Sequence, residues 1–440
     1  MKKALWAFLL LAVQGFSQNP PMDLTVDQAI QLALTNNSAY RISQQEVKQY
    51  RYRLLQNFGF LPEATLQGSK ILDEKLMTIE IPPFYPGAEP TQATLRFTKN
   101  YAFTFQVVQP VFTGGKIYFN YKNAELDLKL AKERQNNSRA DTILGVRKLF
   151  YNIQILQELQ KAHQEAFSLA ESNYGNVRKS FELGMVSQYD LLRAELALSA
   201  TRPDVLRVAN LLETSVLGLK LMLGLPAEQG IRLQGELGYR PLQLELLKLL
   251  QGSLKNRSEL LQLQMQSQKI ANMLKITWAQ YIPNFSIVAN YSYQSDYFKF
   301  NSGNWDNYFN ISLGVSFPIF TGLKRSAQVG EMKVLKRIMD LNVKQFNDAT
   351  RLEVESGYRT INQEYENIQL GLKNVESAKE GVRIAELNYR EGMITILELN
   401  SSYNELTRAK VNYLQAFYNY NIAIAELEKI TGIDINGGVE

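Results

Sequence analysis

With 440 residues, 45% of them hydrophobic and 21% charged, the chain has apolar material for a sizeable core and too little charge for a disordered one. A formal net charge of +5 without a basic run excludes a polyanionic partner, so no nucleic-acid binding is expected. The absence of cysteine excludes disulfide staples and a lipid-modified N-terminal cysteine.

In chain order, Lys2 and Lys3 precede an apolar run from Ala4 to Val13, and Gly15-Phe16-Ser17 offers small residues for cleavage. Residues 1–17 therefore read as a secretory signal peptide. The run is shorter than the ~20 residues a spanning helix needs. No later window holds one of that length, so the mature protein reads as exported and not as an α-helical membrane protein.

The rest is a tandem repeat: residues 18–225, a Pro/Gly-rich connector over 226–241, and residues 242–440. Pro110-Val111-Phe112-Thr113-Gly114-Gly115 is echoed by Pro318-Ile319-Phe320-Thr321-Gly322. At the same constant offset Leu183-Gly184-Met185-Val186-Ser187 meets Glu391-Gly392-Met393-Ile394-Thr395, and Gly224 meets Gly432. Earlier, Phe60-Leu61-Pro62 pairs with Tyr281-Ile282-Pro283, and only the stretch between these prolines and the next pair differs in length. Such variation is absorbed by loops.

After a helix from about Ser38 to Phe58, the period changes from 3.6 to 2. Strands are expected at about 61–72, 100–110, 284–295 and 308–318. Tyr101, Phe103, Phe105 and Val107 alternate with Ala102, Thr104, Gln106 and Val108; Phe285, Ile287, Ala289, Tyr291 and Tyr293 alternate with small or polar residues. One apolar, aromatic face over ~10 residues is the pattern of a membrane β-strand. A half-buried strand of a soluble sheet shares it, but leaves no sequence to cover the apolar face. Four strands cannot close a barrel, and open edges in lipid leave backbone groups unpaired, so the chain must oligomerise. This argument does not choose the number of subunits.

Proline-free stretches follow each strand region and read as long helical hairpins over about 117–223 and 324–431. Tyr358, Ile361, Tyr365, Ile368, Leu372 and Val375 form a coiled-coil-like seam. Small residues recur at Ala124, Ala131, Ser138 and Gly145, where neighbouring helices approach closely. A helix of ~65 residues spans ~100 Å. At the turns, Gly184 and Gly392 suit a left-handed helix C-terminus. Ser187 to Asp190 and Thr395 to Glu398 read as capping boxes, with Val186–Leu191 and Ile394–Leu399 as staples. Pro203, deep in the first return helix, predicts a kink or a broken ladder.

No chemistry is readable. The lone His163 on a long helix makes neither a catalytic triad nor, without cysteine, a metal site. Gly114-Gly115-Lys116 is only a fragment of a phosphate loop. The chain is therefore not expected to be an enzyme or to hold a cofactor. Tyr297, Phe298, Trp305 and Tyr308 suit either an interfacial girdle or loop packing.

These repeated motifs, together with the opening Leu24-Thr25-Val26-Asp27-Gln28-Ala29-Ile30, resemble the TolC-type outer-membrane efflux proteins over nearly the whole mature chain. The resemblance implies a mixed α/β membrane protein: a homotrimer with a shared twelve-stranded transmembrane β-barrel in outer-membrane lipid and a periplasmic α-barrel of coiled hairpins. It implies a passive exit channel serving a periplasmic adaptor protein and an inner-membrane pump of the RND or ABC type. Adaptors of the family contact the tips, which match Leu183, Gly184, Met185, Val186 and Ser187, and Glu391, Gly392, Met393, Ile394 and Thr395. Acids after the second tip turn form part of the family's closed gate. Glu398 matches that place, Ser401 stands where a second acid often follows, and Asp190 is the first-repeat equivalent. Helix capping is the alternative role for both acids. Pro110, Gly114, Gly115, Pro318 and Gly322 mark strand-to-helix junctions. Export of a protein or peptide through a type I system, or a non-channel envelope scaffold, are the competing functions.

Overall fold

The computed structural model describes residues 21–72, 77–83, 85–87, 89–95, 99–235, 238–239, 241–242, 244–299 and 305–435. The signal peptide expected over 1–17 lies outside them. Strand β1 (Met22–Leu24) leads into helices α1 (Val26–Asn36) and α2 (Ser38–Gln56). Strands β2 (Glu63–Lys70), β3 (Met77–Ile81), β4 (Thr91–Leu95) and β5 (Tyr101–Phe112) follow. The first hairpin is α3 (Lys116–Glu182) and α4 (Gln188–Leu223). After β6 (Ile231–Leu233) the order recurs with α5 (Leu246–Asn256), α6 (Ser258–Trp278), β7 (Asn284–Ser295) and β8 (Asp306–Ser316). The second hairpin is α7 (Lys324–Arg390) and α8 (Ile396–Thr431). Both outgoing helices have 67 residues and both return helices 36. None of the described helices is long and apolar enough to cross a membrane.

The chain divides into two compact units. One holds residues 1–47, 131–263 and 343–440; the other holds 48–130 and 264–342. Within the first, each repeat packs a core along its own hairpin. Ala29, Ile30 and Ala33 of α1 bury against Val146, Phe150 and Ile153 of α3 and Leu219 and Leu223 of α4. Leu249 of α5 buries with Val354, Ile361 and Ile368 of α7 and Phe417, Tyr420 and Leu427 of α8. Of the predicted α7 seam, Leu372 departs: it stays exposed while Ile361, Ile368 and Val375 are buried. Close approach explains Gly145, where an added Cβ would sit 2.8 Å from the terminal methyl of Met222.

Several features differ from the expectations. The connector carries β6, which pairs in parallel with β1. The extra length of the first repeat forms the antiparallel β3–β4 pair. Strand β5 runs through Pro110 to Phe112, with a register shift between them. A bulge tolerates proline because the ladder is already interrupted there. Helix α4 continues through Pro203. The proline removes one rung, while the hydroxyls of Ser199 and Thr201 bond back to Leu196 and Leu198 carbonyls.

The second unit is built on a four-stranded antiparallel sheet in the order β2-β5-β7-β8. Strands β2 and β8 are its edges. Period 2 carries each residue type across all four strands, so the sheet has two distinct faces.

Candidate functional site

The register makes the faces explicit. Leu66, Phe105, Tyr291 and Phe309 form one transverse row; the adjacent row is Thr65, Gln106, Asn290 and Asn310. On the polar face Gln106 donates to Asn290 at 2.9 Å, and the hydroxyls of Thr104 and Ser292 lie 3.1 Å apart. On the other face Phe309, Ile311, Leu313 and Val315 are each about three-fifths exposed, with values of 61%, 65%, 65% and 59%. Nothing among the described residues of the chain covers them, and β2 and β8 each leave one side of their backbone unpaired. An apolar face and two bare edges together are unfavourable in water.

The aromatic residues near the β7–β8 connection differ in how they pack, and Phe298 lies against the Tyr101 ring at 5.3 Å. Trp305 is packed, stacking on Tyr293 at 4.9 Å and donating its indole N–H to the Lys299 carbonyl at 2.6 Å. Tyr297, Phe298 and Tyr308 are exposed. Tyr308, however, falls on the polar face, opposite Ser292.

At the other end of this unit, strands pass into helices. Gly114, Gly115 and Gly322 have positive φ, one or two residues before α3 and α7 begin. Pro318 accepts from the Arg325 guanidinium at 2.7 Å, and the same side chain bonds the Thr321 hydroxyl and the Gln280 carbonyl. The second junction is thus tied by an arginine that sequence periodicity does not single out.

The hairpin tips lie in the first unit. At each, glycine takes the left-handed conformation, Gly184 at φ 73° and Gly392 at φ 71°. The next amide in each case, Met185 or Met393, bonds back to Ser180 or Asn388 at 2.8 Å, a Schellman closure. Ser187 then caps α4 and Thr395 caps α8, each bonded reciprocally with the acid three residues on. Asp190 Oδ2 accepts from the Ser187 amide at 3.1 Å, and Glu398 Oε2 from the Thr395 amide at 2.7 Å. Both acids are therefore engaged in capping. Val177, Ala194, Ala385, Ile396 and Leu399 bury together, with Val186, Leu191 and Ile394 packed against them, so the two tips form one apolar cluster. Asn173 donates to Asn400 across them at 3.2 Å, while Tyr403 donates to Glu386 within the second hairpin at 3.1 Å. Burial, then the Glu386 charge, pushes the Tyr403 phenol up. No local sequence pattern marks these long-range polar pairs. Leu183, Met185 and Met393 remain exposed, as do Glu391 and Ser401.

The amide of Thr395, and then its hydroxyl, hold the Glu398 carboxyl below its ordinary range. A depressed folded pKa adds stability above the unfolded value, which is lost as pH falls through the folded one. Acid should therefore loosen the second tip. Hydrogen-exchange protection of residues 391–399 is expected to drop between about pH 7 and about pH 3, and the drop should be smaller in Glu398→Gln. Equal drops in both proteins would show that this cap does not govern the tip.

A four-stranded sheet with one apolar and one polar face, on one chain with capped helical hairpins, fits a protomer of an envelope channel. The outer membrane efflux protein family model matches residues 29–225 and 249–433, and the chain belongs to that family. The probable efflux pump outer membrane protein TtgC of Pseudomonas putida is 23% identical over 407 residues, covering 88% of this chain and 78% of its own. Among solved structures, the outer membrane protein VceC of Vibrio cholerae superposes with a TM-score of 0.76 at 15% identity, over 92% of this chain and 96% of that one. The CmeC outer membrane channel of Campylobacter jejuni gives 0.74 at 18% identity, over 92% and 85%. The chain is thus an outer-membrane efflux channel protein of the Gram-negative envelope, not an enzyme. It is the outer-membrane member of a multi-part efflux assembly.

Proposed function

We propose that three copies close a twelve-stranded barrel by joining β8 of each to β2 of the next. The observation that carries this is the four-stranded sheet with two unpaired edges and an uncovered apolar face. Lipid covers that face, the polar face lines the pore, and closure satisfies the edge backbone groups. Residues 18–225 and 242–440, joined through 226–241, act as two equivalent wall segments per chain. Pro110, Gly114, Gly115, Pro318 and Gly322 turn the chain from barrel into tunnel.

A periplasmic adaptor docks on the paired tips, at Leu183 to Ser187 and Glu391 to Thr395, where Leu183, Met185 and Met393 offer apolar contacts. An inner-membrane pump of the RND or ABC type drives export through it. Asp190, Glu398 and Ser401 surround the constriction, closed at rest. The names of relatives, an antibiotic and a toluene efflux protein, favour small-molecule efflux over protein secretion.

Native mass spectrometry of the mature protein extracted from outer membranes tests the assembly, and planar-bilayer recording tests the gate. Three protomers and a low resting conductance are expected. A soluble monomer would end the channel reading, and a high resting conductance the closed tip.

A further inference from the structure

We propose that Glu63 is the charge-selecting residue of the pore, forming an acidic ring where the barrel opens into the helical tunnel. The inference rests on the channel reading above.

The sheet register assigns every strand residue to a face. On the polar face, the described residues include no lysine or arginine, and the carboxylates are Glu63 and Asp306 alone. Otherwise this face carries mostly amides, hydroxyls and small side chains, with Val108, Pro110, Val288 and Tyr308 among them. The two acids sit at opposite ends of the sheet. Asp306 is at the end beside the β7–β8 connection, where Lys99 Nζ approaches it at 3.6 Å and Asp296 at 3.2 Å. That lysine offsets one of the two negative charges there, whereas Glu63 has no such partner.

Glu63 begins β2 one residue after Pro62, at the end of the sheet that leads to α2 and α3. Its side chain is exposed and makes no hydrogen bond or ion pair among the described residues. Its transverse row continues through Val108, Val288 and Ser312. The carboxylate thus has Val108 as its cross-strand neighbour, with no charged group in its row.

The repeat sets the charge count. Pro62-Glu63 corresponds to Pro283-Asn284 in the second repeat, so each protomer contributes one carboxylate where strict repetition would give two. A closed trimer carries three charges there rather than six. Rings of identical acids in a pore concentrate cations and oppose anions. Glu398 is tied into its cap at the tip, and Ser401 adds no charge. Among the described residues on the polar face of the sheet, Glu63 is the carboxylate with no cationic partner.

The chain contains no cysteine, so one introduced thiol reports the local potential without background. Thr65→Cys places it two residues along β2, on the same face. The full-length oligomer, carrying Glu63 or Glu63→Gln, is labelled with a trimethylammonium methanethiosulfonate and with its sulfonate counterpart. Only the barrel needs to be open, so the readout is independent of the tip gate. At about 0.1 M salt the cationic-to-anionic rate ratio is expected to fall at least about threefold on Glu63→Gln. The difference should shrink at about 1 M, where screening reaches only about 3 Å. A ratio unmoved by Glu63→Gln, with the thiol reactive, overturns the ring and leaves the channel intact. A thiol that neither reagent reaches in an assembled oligomer overturns the assignment of the polar face to the pore, and the ring with it.

Discussion

Phe105→Arg is expected to prevent outer-membrane assembly, while Gln106→Arg, the next residue of β5, leaves assembly largely intact. Phe105 stands in the apolar row between Leu66 and Tyr291, and Gln106 in the polar row between Thr65 and Asn290. In the proposed trimer an arginine on the lipid face near mid-membrane costs about 2–4 kcal/mol per copy, and three copies multiply that cost. On the water-filled side the guanidinium keeps its hydration. Quantifying trimer in the outer-membrane fraction distinguishes the two. Equal loss in both variants, or in neither, would contradict the assignment of the faces.

The second large effect is expected inside the hairpin unit. Arg147 of α3 and Glu428 of α8 form an ion pair with side-chain exposures of only 12% and 11%. Glu428 also accepts the Ile435 amide at 3.1 Å. The pair ties the outgoing helix of the first repeat to the return helix of the second. Arg147→Met leaves a carboxylate buried without its counter-ion, which costs about 3–5 kcal/mol. Replacing both partners, Arg147→Met with Glu428→Leu, should recover most of that loss, because two desolvated charges are removed together. Denaturant unfolding of the detergent-solubilised protein provides the comparison. If the double variant is no better than the single one, the arginine acts through its alkyl packing rather than its charge.

What could be read from the sequence follows the range of the interactions. The tips were legible because every participant lies within a few residues: glycine for φ 73° and φ 71°, a hydroxyl for the cap, an acid three positions on. The Thr25–Gln28 box that opens α1 is of the same local kind and was open to the same reading. Three of the four sheet strands were legible from alternation, whereas β2, with its single large apolar residue Leu66, shows it only weakly. Strands β1 and β6 were not: three residues each are too few to show a period, and their partners lie far apart in the chain. Asn173–Asn400 and Arg147–Glu428 escape for a related reason, since they join different repeats and leave no spacing to detect. Tyr308 shows that residue type alone can misplace an aromatic. Its phase in β8, shared with Asn310 and Ser312, puts it on the polar face opposite Ser292.

The β1–β6 pair bears on the order of biogenesis. Met22–Leu24 lies near the N-terminus, whereas Ile231–Leu233 follows the entire first hairpin. A chain threaded N-terminus first across the inner membrane delivers β1 long before the strand that completes it. Until then the Leu24 side chain, buried in the finished protein, is open to periplasmic chaperones, and closing so long a loop is entropically unfavourable without the hairpin in place. Docking of the N-terminal strand is therefore expected to follow folding of the first hairpin, which brings β6 back beside β1.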